Sequence, residues 1–554
     1  MNDRFVTGAT GNQVPALTDI NLFASDVALT EAVTREGAAA SARTLNAFGL
    51  TAGSQEAAEL AVMANRHAPE LATHDRYGDR LDVVTYHPAY HDLMRISCAE
   101  GLASSVWSHL GTAGGSPEKA AHVVRAATLY LAAQMEPGHC CPLTMTNAAI
   151  PVIVNNEDLA RDWLPLLLSR TYDPGMEPAA NKAGVTIGMG MTEKQGGTDV
   201  RANTTRAVRT PDGHYAITGH KWFMSAPMSD AFLVLAQASN GLSLFLLPRF
   251  LPDGRVNAIH FQRLKNKLGN RANASSEVEF HDAGGWLIGE EGRGVANIAE
   301  MLTYCRLDCC ISSSGLMRSA VAQAVHHAEY RHVGGRPLIG EPLMQHVLAD
   351  LTLDVEAAVA LSFRLARSFD RARDPRAAAW RRLMTPVTKY WVTKIASPLI
   401  GEAMECLGGN GYVEDWPLAL LYREAPVNAI WEGSGNVMAL DVLRVLQKEP
   451  DVAEIVTEEL RASCAGDPAL TAAFERIQAI LFEPRTLDAR ARQLVDELAR
   501  LAAATILRAQ GHATVAEAFI ATRIGGGPRT TYGQGLDGFD TKAILARATP
   551  NRQA

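Results

Sequence analysis

The sequence predicts an α+β, multi-domain protein, and three observations support this class. The chain has 554 residues, enough for about three to four domains of ~150 residues each. Helical and β-prone stretches occupy separate regions and do not alternate, which argues against repeated βαβ units. Hydrophobic residues make up 47% of the chain and charged residues 20%, as is usual for globular proteins.

Local composition divides the chain into four predicted regions. They are an N-terminal helical domain at 1–184, a middle β-domain at 185–290, a C-terminal helical bundle at 291–446 and a C-terminal helical extension at 447–554. In the first region, 121–134 is rich in alanine and free of proline, which favours helix. In the second, the turn dipeptide Asn240-Gly241 separates the β-prone runs 232–235 and 244–247. The extension is expected to be helical to about residue 523 and irregular at 525–528.

Composition and charge exclude several classes of protein. A net charge of −8 argues against a protein whose whole surface is basic and binds nucleic acid non-specifically. The first residues lack the basic segment followed by an apolar stretch that is typical of a signal peptide. No run of eighteen apolar residues, as needed for a membrane-spanning helix, occurs. We therefore expect no targeting segment, no membrane association and a cytoplasmic location. The eight cysteines form no CxxC pair, so buried reduced thiols are expected and a metal site is not.

Common nucleotide-binding and hydrolase motifs are absent. The chain has no GxxxxGK[ST], no HExxH and no GxSxG. Gly188-Met189-Gly190 begins like a dinucleotide-binding fingerprint, but Glu193 occupies the position of its last glycine. A nicotinamide site of the Rossmann type is therefore not predicted.

The segment 191–199 lies at the entry to the β region. Its adjacent glycines, Gly196 and Gly197, let backbone approach a flat ligand closely, and Thr192 and Thr198 supply hydroxyls. A simple connecting loop explains the same residues equally well.

Two further segments have residue types suited to a cofactor. In 220–225, an aromatic residue next to a small hydroxyl suits packing against a ring system, although a core aromatic is the simpler explanation. The segment 408–412 contains three glycines after the helical stretch 395–407. A helix C-cap accounts for one of these glycines, and close contact with a phosphate chain is the alternative for the others.

The segment 431–436, with the sequence WEGSGN, carries the candidate base. Glu432 follows Ile430-Trp431 and precedes a glycine turn that opens a new helix. A carboxylate against apolar groups has a raised pKa and can act as a base near neutral pH. The alternative is a helix-start acid that the helix dipole stabilises.

In this order and at these separations, the four segments resemble the acyl-CoA dehydrogenase flavoprotein family over roughly residues 75–446. The long appendage after about residue 447 is similar to one branch of that family, which has been associated with DNA protection. The resemblance implies an N-terminal helical domain, a middle β-domain and a C-terminal four-helix bundle, here followed by a helical extension. FAD would lie extended between the β-domain and the bundle.

Carried over residue by residue, the resemblance also implies the cofactor contacts. The flavin and its ribityl chain would be held by Met191, Thr192, Gly197 and Thr198, with Phe223 as the ring-packing aromatic and Ser225 as its hydroxyl partner. A neighbouring subunit would contribute Arg331 on the pyrophosphate, together with Glu405, Gly408 and Gly409. Ser434 and Asn436 would close the site beside the adenosine-phosphate arm. Gly334 stands where the family usually has a phenylalanine.

Glu432 matches the general base of the family. That base removes the α-proton of an acyl-CoA thioester while the β-hydrogen leaves as hydride to the flavin. The backbone N–H of Glu432 and an FAD hydroxyl would stabilise the thioester oxygen. Some relatives place the base on an earlier helix, just before an arginine, but here Cys305 precedes Arg306. Glu432 is therefore the sole candidate.

Arginines cluster in the bundle and in the extension. Arg364, Arg367 and Arg371 fall on one face of a predicted helix. Solvated surfaces and salt bridges explain such a cluster as well as duplex DNA does. The branch resemblance makes backbone contact with duplex DNA an expectation.

The leading hypothesis is an FAD-dependent acyl-CoA dehydrogenase that forms a homotetramer and acts on an acyl-CoA thioester. One alternative is a DNA-binding flavoprotein of the same branch, in which acyl-CoA turnover is weak or incidental. The other is an acyl-CoA oxidase that reduces oxygen directly. The electron acceptor and the acyl chain are not predicted.

Overall fold

The structure is a computed structural model, and it describes residues 11–112, 114–483, 485–526 and 531–550. These residues form two compact units. The sheet unit comprises Glu56–Ser312 and Ile430–Val437. The helical unit comprises the described residues of 1–55, 313–429 and 438–554. Together they confirm the predicted mixture of helical and sheet regions.

The sheet unit begins with helices and one hairpin, and its seven-stranded sheet follows. Its helices are α3 (Gln55–Arg66), α4 (Pro88–Ala99), α5 (Ala121–Met135), α6 (Cys140–Ile153), α7 (Glu157–Leu167) and the part of α8 (Gly294–Tyr330) up to residue 312. Its strands are β1 (Glu70–His74), β2 (Arg80–Thr85), β3 (Ile187–Gly190), β4 (Arg206–Arg209), β5 (Tyr215–Ser225), β6 (Ala231–Ala238), β7 (Gly241–Pro248), β8 (Ile259–Leu264) and β9 (Ser275–Ile288). The helix predicted at 121–134 and the strands predicted on both sides of Asn240-Gly241 are confirmed.

The sheet from β3 to β9 closes on itself. The pairings β5–β4, β4–β6, β6–β7, β7–β9 and β9–β5 form a circuit, and β8 continues from β9. Most pairings are antiparallel, but β6 pairs in parallel with both β3 and β4. Closure pairs the strand edges that an open sheet would expose. Inside, β6 is completely buried from Ala231 to Ala236, which explains its continuous apolar sequence.

The hairpin of β1 and β2 lies within the region 1–184 that the sequence predicted as helical. Its two strands pair antiparallel from Glu70↔Thr85 to His74↔Arg80. Alternate residues of β1 are exposed, and none is fully buried. Strand β1 therefore lacks the buried apolar face that would have indicated it from sequence.

The helical unit is built from long helices. They are α1 (Val27–Arg35), α2 (Ala42–Ala52), the rest of α8, α9 (Pro342–Asp370), α10 (Pro375–Cys406), α11 (Gly409–Tyr412), α12 (Pro417–Asn428), most of α13 (Gly435–Lys448), α14 (Pro450–Cys464), α15 (Pro468–Leu481), α16 (Leu487–Gln510), α17 (Ala513–Phe519), a π-helix (Ile520–Ile524) and α18 (Thr541–Ala548). A two-residue turn joins β10 (His332–Val333) to β11 (Arg336–Pro337). The start of α10 is encoded locally, since Asp374 caps the helix and Pro375 occupies its first turn.

Buried ion pairs attach the C-terminal extension to α9. Arg523 contacts Asp350 at 2.5 Å and Asp354 at 2.9 Å. Arg547 contacts Glu356 at 2.5 Å and also binds Glu31. The predicted helical extension is confirmed as far as Ile524; of the segment predicted to be irregular, Gly527 and Pro528 lie outside the described residues. Within the described ranges, no helix combines the length and apolar character needed to span a bilayer.

Candidate functional site

The loop after β3 lies against the end of β5. The antiparallel register pairs Met189 with Ser225 and Gly190 with Met224. One step further on, the backbone N–H of Trp222 donates to the carbonyl oxygen of Thr192 at 2.8 Å. Two of the segments identified from sequence, 191–199 and 220–225, are therefore brought together.

A buried ion pair holds this junction. The ammonium of Lys221 lies 2.7 Å from the Glu193 carboxylate, and neither side chain is exposed to solvent. The same carboxylate accepts the backbone N–H groups of Thr204 at 2.7 Å and Thr205 at 3.2 Å. Burial alone would raise the pKa of Glu193, but Lys221 and these donors lower it well below its usual range. Glu193 therefore stays ionised and fixes both ends of the loop.

A β-bulge turns Phe223 outward. The register between β5 and β9 shifts here: Lys221 pairs with Val278 and Met224 with Ser276. The interval on β5 is therefore one residue longer than the interval on β9. Bulges re-aim side chains and are common beside functional sites. Phe223 is 47% exposed, which is unusual for a large aromatic residue in a strand, and the Lys265 ammonium lies 4.5 Å from its ring centroid. The simpler explanation from sequence, a core aromatic, is wrong for this residue.

Glycine is required at Gly197 by close packing. A Cβ there would lie 2.5 Å from the hydroxyl oxygen of Thr192. At Gly196, with a φ of +152°, a Cβ would meet nothing within 4 Å. The loop is thus tightly packed on one side and open on the other, where Thr198 is exposed.

Glu432 lies in a turn with an uncommon backbone conformation. Its φ is +57°, in the left-handed region that residues with a Cβ seldom adopt. Such strain persists only where surrounding contacts determine it, and it concentrates at functional sites. One such contact comes from α8, where Nε of Arg306 donates to the carbonyl oxygen of Glu432 at 3.0 Å.

The charge of Glu432 acts on two buried thiols. Burial is the main cause that raises the pKa of Cys141 to about 12, and the charge of Glu432 contributes. Burial and the same carboxylate raise the pKa of Cys305 well above its ordinary value. Both thiols therefore remain neutral near pH 7. Of the apolar residues that precede Glu432, Ile430 is 65% exposed.

A second buried ion pair fixes the part of α8 that carries Arg306. Arg125 on α5 makes two hydrogen bonds of 2.8 Å to Asp308, and both side chains are only 3% exposed. The bidentate geometry restrains both helices. It holds the residues around Cys305 in place next to the Glu432 turn.

The remaining predicted site residues fall into two groups. Ser434 and Asn436 are exposed at the amino end of α13, immediately after Glu432. Arg331, Glu405, Gly408 and Gly409 belong to the helical unit. The guanidinium of Arg331 donates to the carbonyl oxygen of Asn12 at 2.8 Å, and Glu405 is exposed near the end of α10.

The three glycines of the segment 408–412 are explained by different structural constraints. Gly408 adopts a φ of +59° after the end of α10, in agreement with a C-cap role. At Gly411 a Cβ would approach the carbonyl oxygen of Met404 to 2.1 Å, so packing excludes any side chain. Gly409 has open space around it and neither constraint, which leaves it available to a ligand.

The three predicted DNA-binding arginines differ in their contacts. Arg364 pairs with Glu459 at 2.9 Å, and Arg367 donates to the carbonyl oxygen of Arg35 at 3.0 Å. Arg371 is exposed at the end of α9. Spacing predicted that the three arginines share one face of a helix. Two of them, Arg364 and Arg367, are bound to other residues of the helical unit.

Sequence reasoning missed three contributors to the site: the Glu193–Lys221 pair, Arg306 as a contact of Glu432, and the Arg125–Asp308 pair. A lysine in the middle of a strand was a usable signal for the first, because a buried lysine requires a partner. The other two join residues more than a hundred positions apart, and no local pattern indicates them.

Comparison with known proteins identifies the family of this chain. Three family profiles match: the adaptive response protein AidB N-terminal domain at 12–174, the acyl-CoA dehydrogenase middle domain at 188–283 and the acyl-CoA dehydrogenase C-terminal domain at 292–447. The chain is 49% identical to AidB of Escherichia coli (strain K12) over 474 residues, which covers 85% of this chain and 86% of that protein.

Two comparisons concern Caenorhabditis elegans. The chain is 32% identical over 487 residues to acyl-CoA dehydrogenase family member 11, covering 82% of this chain and 76% of that protein. The crystal structure of ACDH-11 in complex with C11-CoA superposes with a TM-score of 0.85 at 28% identity, covering 98% of this chain and 96% of that one. The chain therefore belongs to the acyl-CoA dehydrogenase family of FAD-dependent oxidoreductases, which act on CH–CH groups, and within it to the AidB branch.

Proposed function

We propose that this chain binds FAD and catalyses α,β-dehydrogenation of an acyl-CoA thioester, with Glu432 as the general base. The proposal rests on the Glu432 turn, whose backbone adopts a left-handed conformation and accepts a hydrogen bond from Arg306 of α8. That arrangement suits a carboxylate that must accept a proton beside an apolar substrate.

The residues of the sheet unit fit a flavin. Phe223 presents an exposed ring, Ser225 lies next to it at the end of β5, and the open side of 196–198 offers backbone and hydroxyl groups. Ser434 and Asn436 add polar groups at a helix amino end, where anionic groups are favoured. When bound, FAD would supply the hydride acceptor.

The chain's own residues would handle the proton. The Glu432 carboxylate would take it from the carbon next to the thioester carbonyl, a step in which a positioned base contributes about 10²–10⁴ in rate. The contact from Arg306 fixes the peptide group that follows Glu432.

The substrate class is supported by the C. elegans neighbour, whose structure contains C11-CoA. The test is anaerobic titration of purified protein with straight-chain and branched acyl-CoA thioesters, monitored by loss of the flavin absorbance. Bleaching by at least one thioester is expected, and absence of bleaching across the panel would contradict the proposal. Rapid return of the absorbance in air would identify an oxidase; slow return would identify a dehydrogenase that needs another acceptor.

A homotetramer is part of the proposal, because Arg331, Glu405, Gly408 and Gly409 would serve the FAD of a neighbouring subunit. Exposed apolar side chains near them support this, with Val333 at 55% and Tyr412 at 82% exposure. Light scattering after size-exclusion chromatography measures the mass in solution. A mass near four times 59.6 kDa is expected, and a monomer at micromolar concentration would contradict it.

Duplex-DNA binding is a second proposal, and the turn between α9 and α10 supports it. Arg371, Arg373 and Arg376 are all exposed there. Each phosphate neutralised adds about 0.9 to the slope of log affinity against log salt. Replacing these three arginines by glutamine should flatten the slope by about two to three. The matched control replaces Arg364 and Arg367, which are engaged by other residues of the protein. If the control flattens the salt slope equally, the exposed arginines are not the ones that contact the phosphates.

We also place the protein in the cytoplasm. All eight cysteines are free thiols, and seven of them are buried, as expected in a reducing compartment. Localisation of a tagged copy by fractionation tests this, and recovery outside the cytoplasm would contradict it.

A further inference from the structure

The sheet unit contains a cavity of about 230 Å³ that none of the predicted cofactor residues lines. Its walls come from β2, α4, the segment before β3 and the segment between β5 and β6. We call it the tyrosine pocket and define it by Tyr86, Tyr90, His91, Tyr172, Met228 and Ser229. Met176 and Thr85 also line it and are exposed, so the pocket opens to solvent beside them.

Ser229 provides the first indication of a ligand. The residue is 2% exposed, and its hydroxyl oxygen has no hydrogen-bond partner within the described part of the chain. A buried hydroxyl without a partner costs free energy, so native structures satisfy such groups with protein, water or ligand. Because Ser229 lines the cavity, the missing partner has to come from the cavity.

The walls provide the second indication. Tyr86 and Tyr90 stack with ring centroids 4.3 Å apart, and His91 stacks on Tyr172 at 5.8 Å with its Nδ1 2.9 Å from the Tyr172 hydroxyl. Three methionines, Met94, Met176 and Met228, complete the lining. Aromatic rings and thioethers attract flat, polarisable groups, and flexible methionines adapt to their outline.

The lining has no lysine or arginine, and its two carboxylates already have partners. Asp230 pairs with Lys182 at 2.6 Å and accepts the backbone N–H of Thr186 at 2.8 Å. Asp173 accepts the backbone N–H groups of Gly175 and Ala183. No cation in the lining is free to meet an anion, and the carboxylates disfavour one. The occupant that fits is therefore neutral.

From these observations we infer that the tyrosine pocket binds a small, neutral aromatic compound with one hydroxyl or N–H group, which the Ser229 hydroxyl anchors. The ring lies against the tyrosine and methionine walls, and the polar group of the ligand satisfies Ser229. The inference does not depend on acyl-CoA turnover, because it rests on contacts apart from Glu432 and the loop 191–198.

Binding of 4-fluorophenol to the FAD-loaded protein, followed by fluorine NMR, tests the inference. Saturable binding is expected, with displacement by unlabelled phenol and about tenfold weaker competition by cyclohexanol, which has the hydroxyl but no flat ring. Ser229→Ala should weaken binding about five- to tenfold, as loss of one hydrogen bond does. Met176→Trp should abolish binding by filling the pocket beside its opening. The matched control is Ser104→Ala, because Ser104 is also 2% exposed but donates to the carbonyl oxygen of Leu168.

Three results would overturn the inference. The first is no saturable binding, in which case the cavity holds solvent only. The second is equal binding by Met176→Trp and the unaltered protein, which would locate the probe elsewhere. The third is equal affinity of Ser229→Ala and Ser104→Ala, which would remove Ser229 as the anchor. Thermal unfolding of each variant shows whether it is folded before binding is measured.

Discussion

The guanidinium of Arg306 donates from Nε to the backbone carbonyl oxygen of Glu432 at 3.0 Å. This contact joins a long helix to a turn whose φ of +57° is costly for glutamate. Arg306 is thus a positioning residue, since it contacts the backbone of the candidate base.

Arg306→Met should reduce the rate of flavin reduction by acyl-CoA about ten- to a hundredfold, the range for loss of one charge-assisted hydrogen bond. FAD content and unfolding temperature should change little. Arg306→Lys retains a donor and should recover part of the rate. Equal rates for the methionine and lysine variants would contradict a positioning role, and stopped-flow absorbance measures all three proteins.

Lys221→Met should destabilise the sheet unit by about 3–5 kcal/mol, because it leaves the Glu193 carboxylate buried without its cation. FAD content should fall with it, since Glu193 fixes the loop that would hold the flavin. The double variant Lys221→Met/Glu193→Gln should recover part of the stability. Urea unfolding measures these differences, and a double variant no more stable than Lys221→Met would show that the uncompensated charge is not the cause.

Alkaline pH should weaken the fold through His139. The imidazole lies 3.0 Å from Glu136 and is fully buried. Burial lowers the pKa of His139, but Cys140 and Glu136 raise it further, to about 10. A pKa raised on folding adds stability that is fully present below the unfolded value of about 6.5 and is lost as pH rises through 10.

The free energy of unfolding should therefore fall between pH 7 and pH 10. His139→Gln should lower stability at pH 7 and flatten this dependence, whereas the exposed His332→Gln should leave it unchanged. An unchanged slope in His139→Gln would contradict the assignment. Guanidinium unfolding at a series of pH values provides the curves.

Gly334 has a backbone role that its position in the family motif does not reveal. Gly334 and Gly335 form the turn between β10 and β11 with φ values of +59° and +83°, the pattern of a type I′ hairpin turn. Gly334→Phe should therefore strain the hairpin by about 1–2 kcal/mol and speed FAD loss on dilution. Gly334→Asn should be nearly neutral, because asparagine tolerates a positive φ. Equal FAD retention by both variants would contradict the turn argument.

Local patterns predicted much of this protein. The turn dipeptide Asn240-Gly241 lies between β6 and β7 as expected, and the four cofactor-like segments indicated the family. The pairing of 191–199 with 220–225 follows from strand register, but the Glu193–Lys221 bond that fixes it depends on burial of both groups. The turn at Glu432 is contacted by Arg306 of α8. The local sequence 431–436 does not predict that contact. The domain limits at 184, 290 and 446 stay predictions.

The arginines on α9 likewise show that local sequence patterns do not predict contacts between distant residues. Spacing alone identified Arg364, Arg367 and Arg371 as neighbours on one helix. Glu459 and Arg35, which engage two of them, lie far away in sequence and are brought close only by packing of the helical unit. Exposure, which decides whether phosphate can be reached, is set by those partners.

Removal of the substrate proton by Glu432 is tested with the variant Glu432→Gln. The change keeps the size of the side chain and removes its basic oxygen. With FAD bound and oxygen excluded, a thioester that bleaches the unaltered protein is mixed with the variant, and flavin absorbance is followed in a stopped-flow instrument. Glu414→Gln, at an exposed position, serves as the control. We expect a rate at least about a hundredfold lower for Glu432→Gln with unchanged FAD content, whereas an unchanged rate would exclude Glu432 as the base.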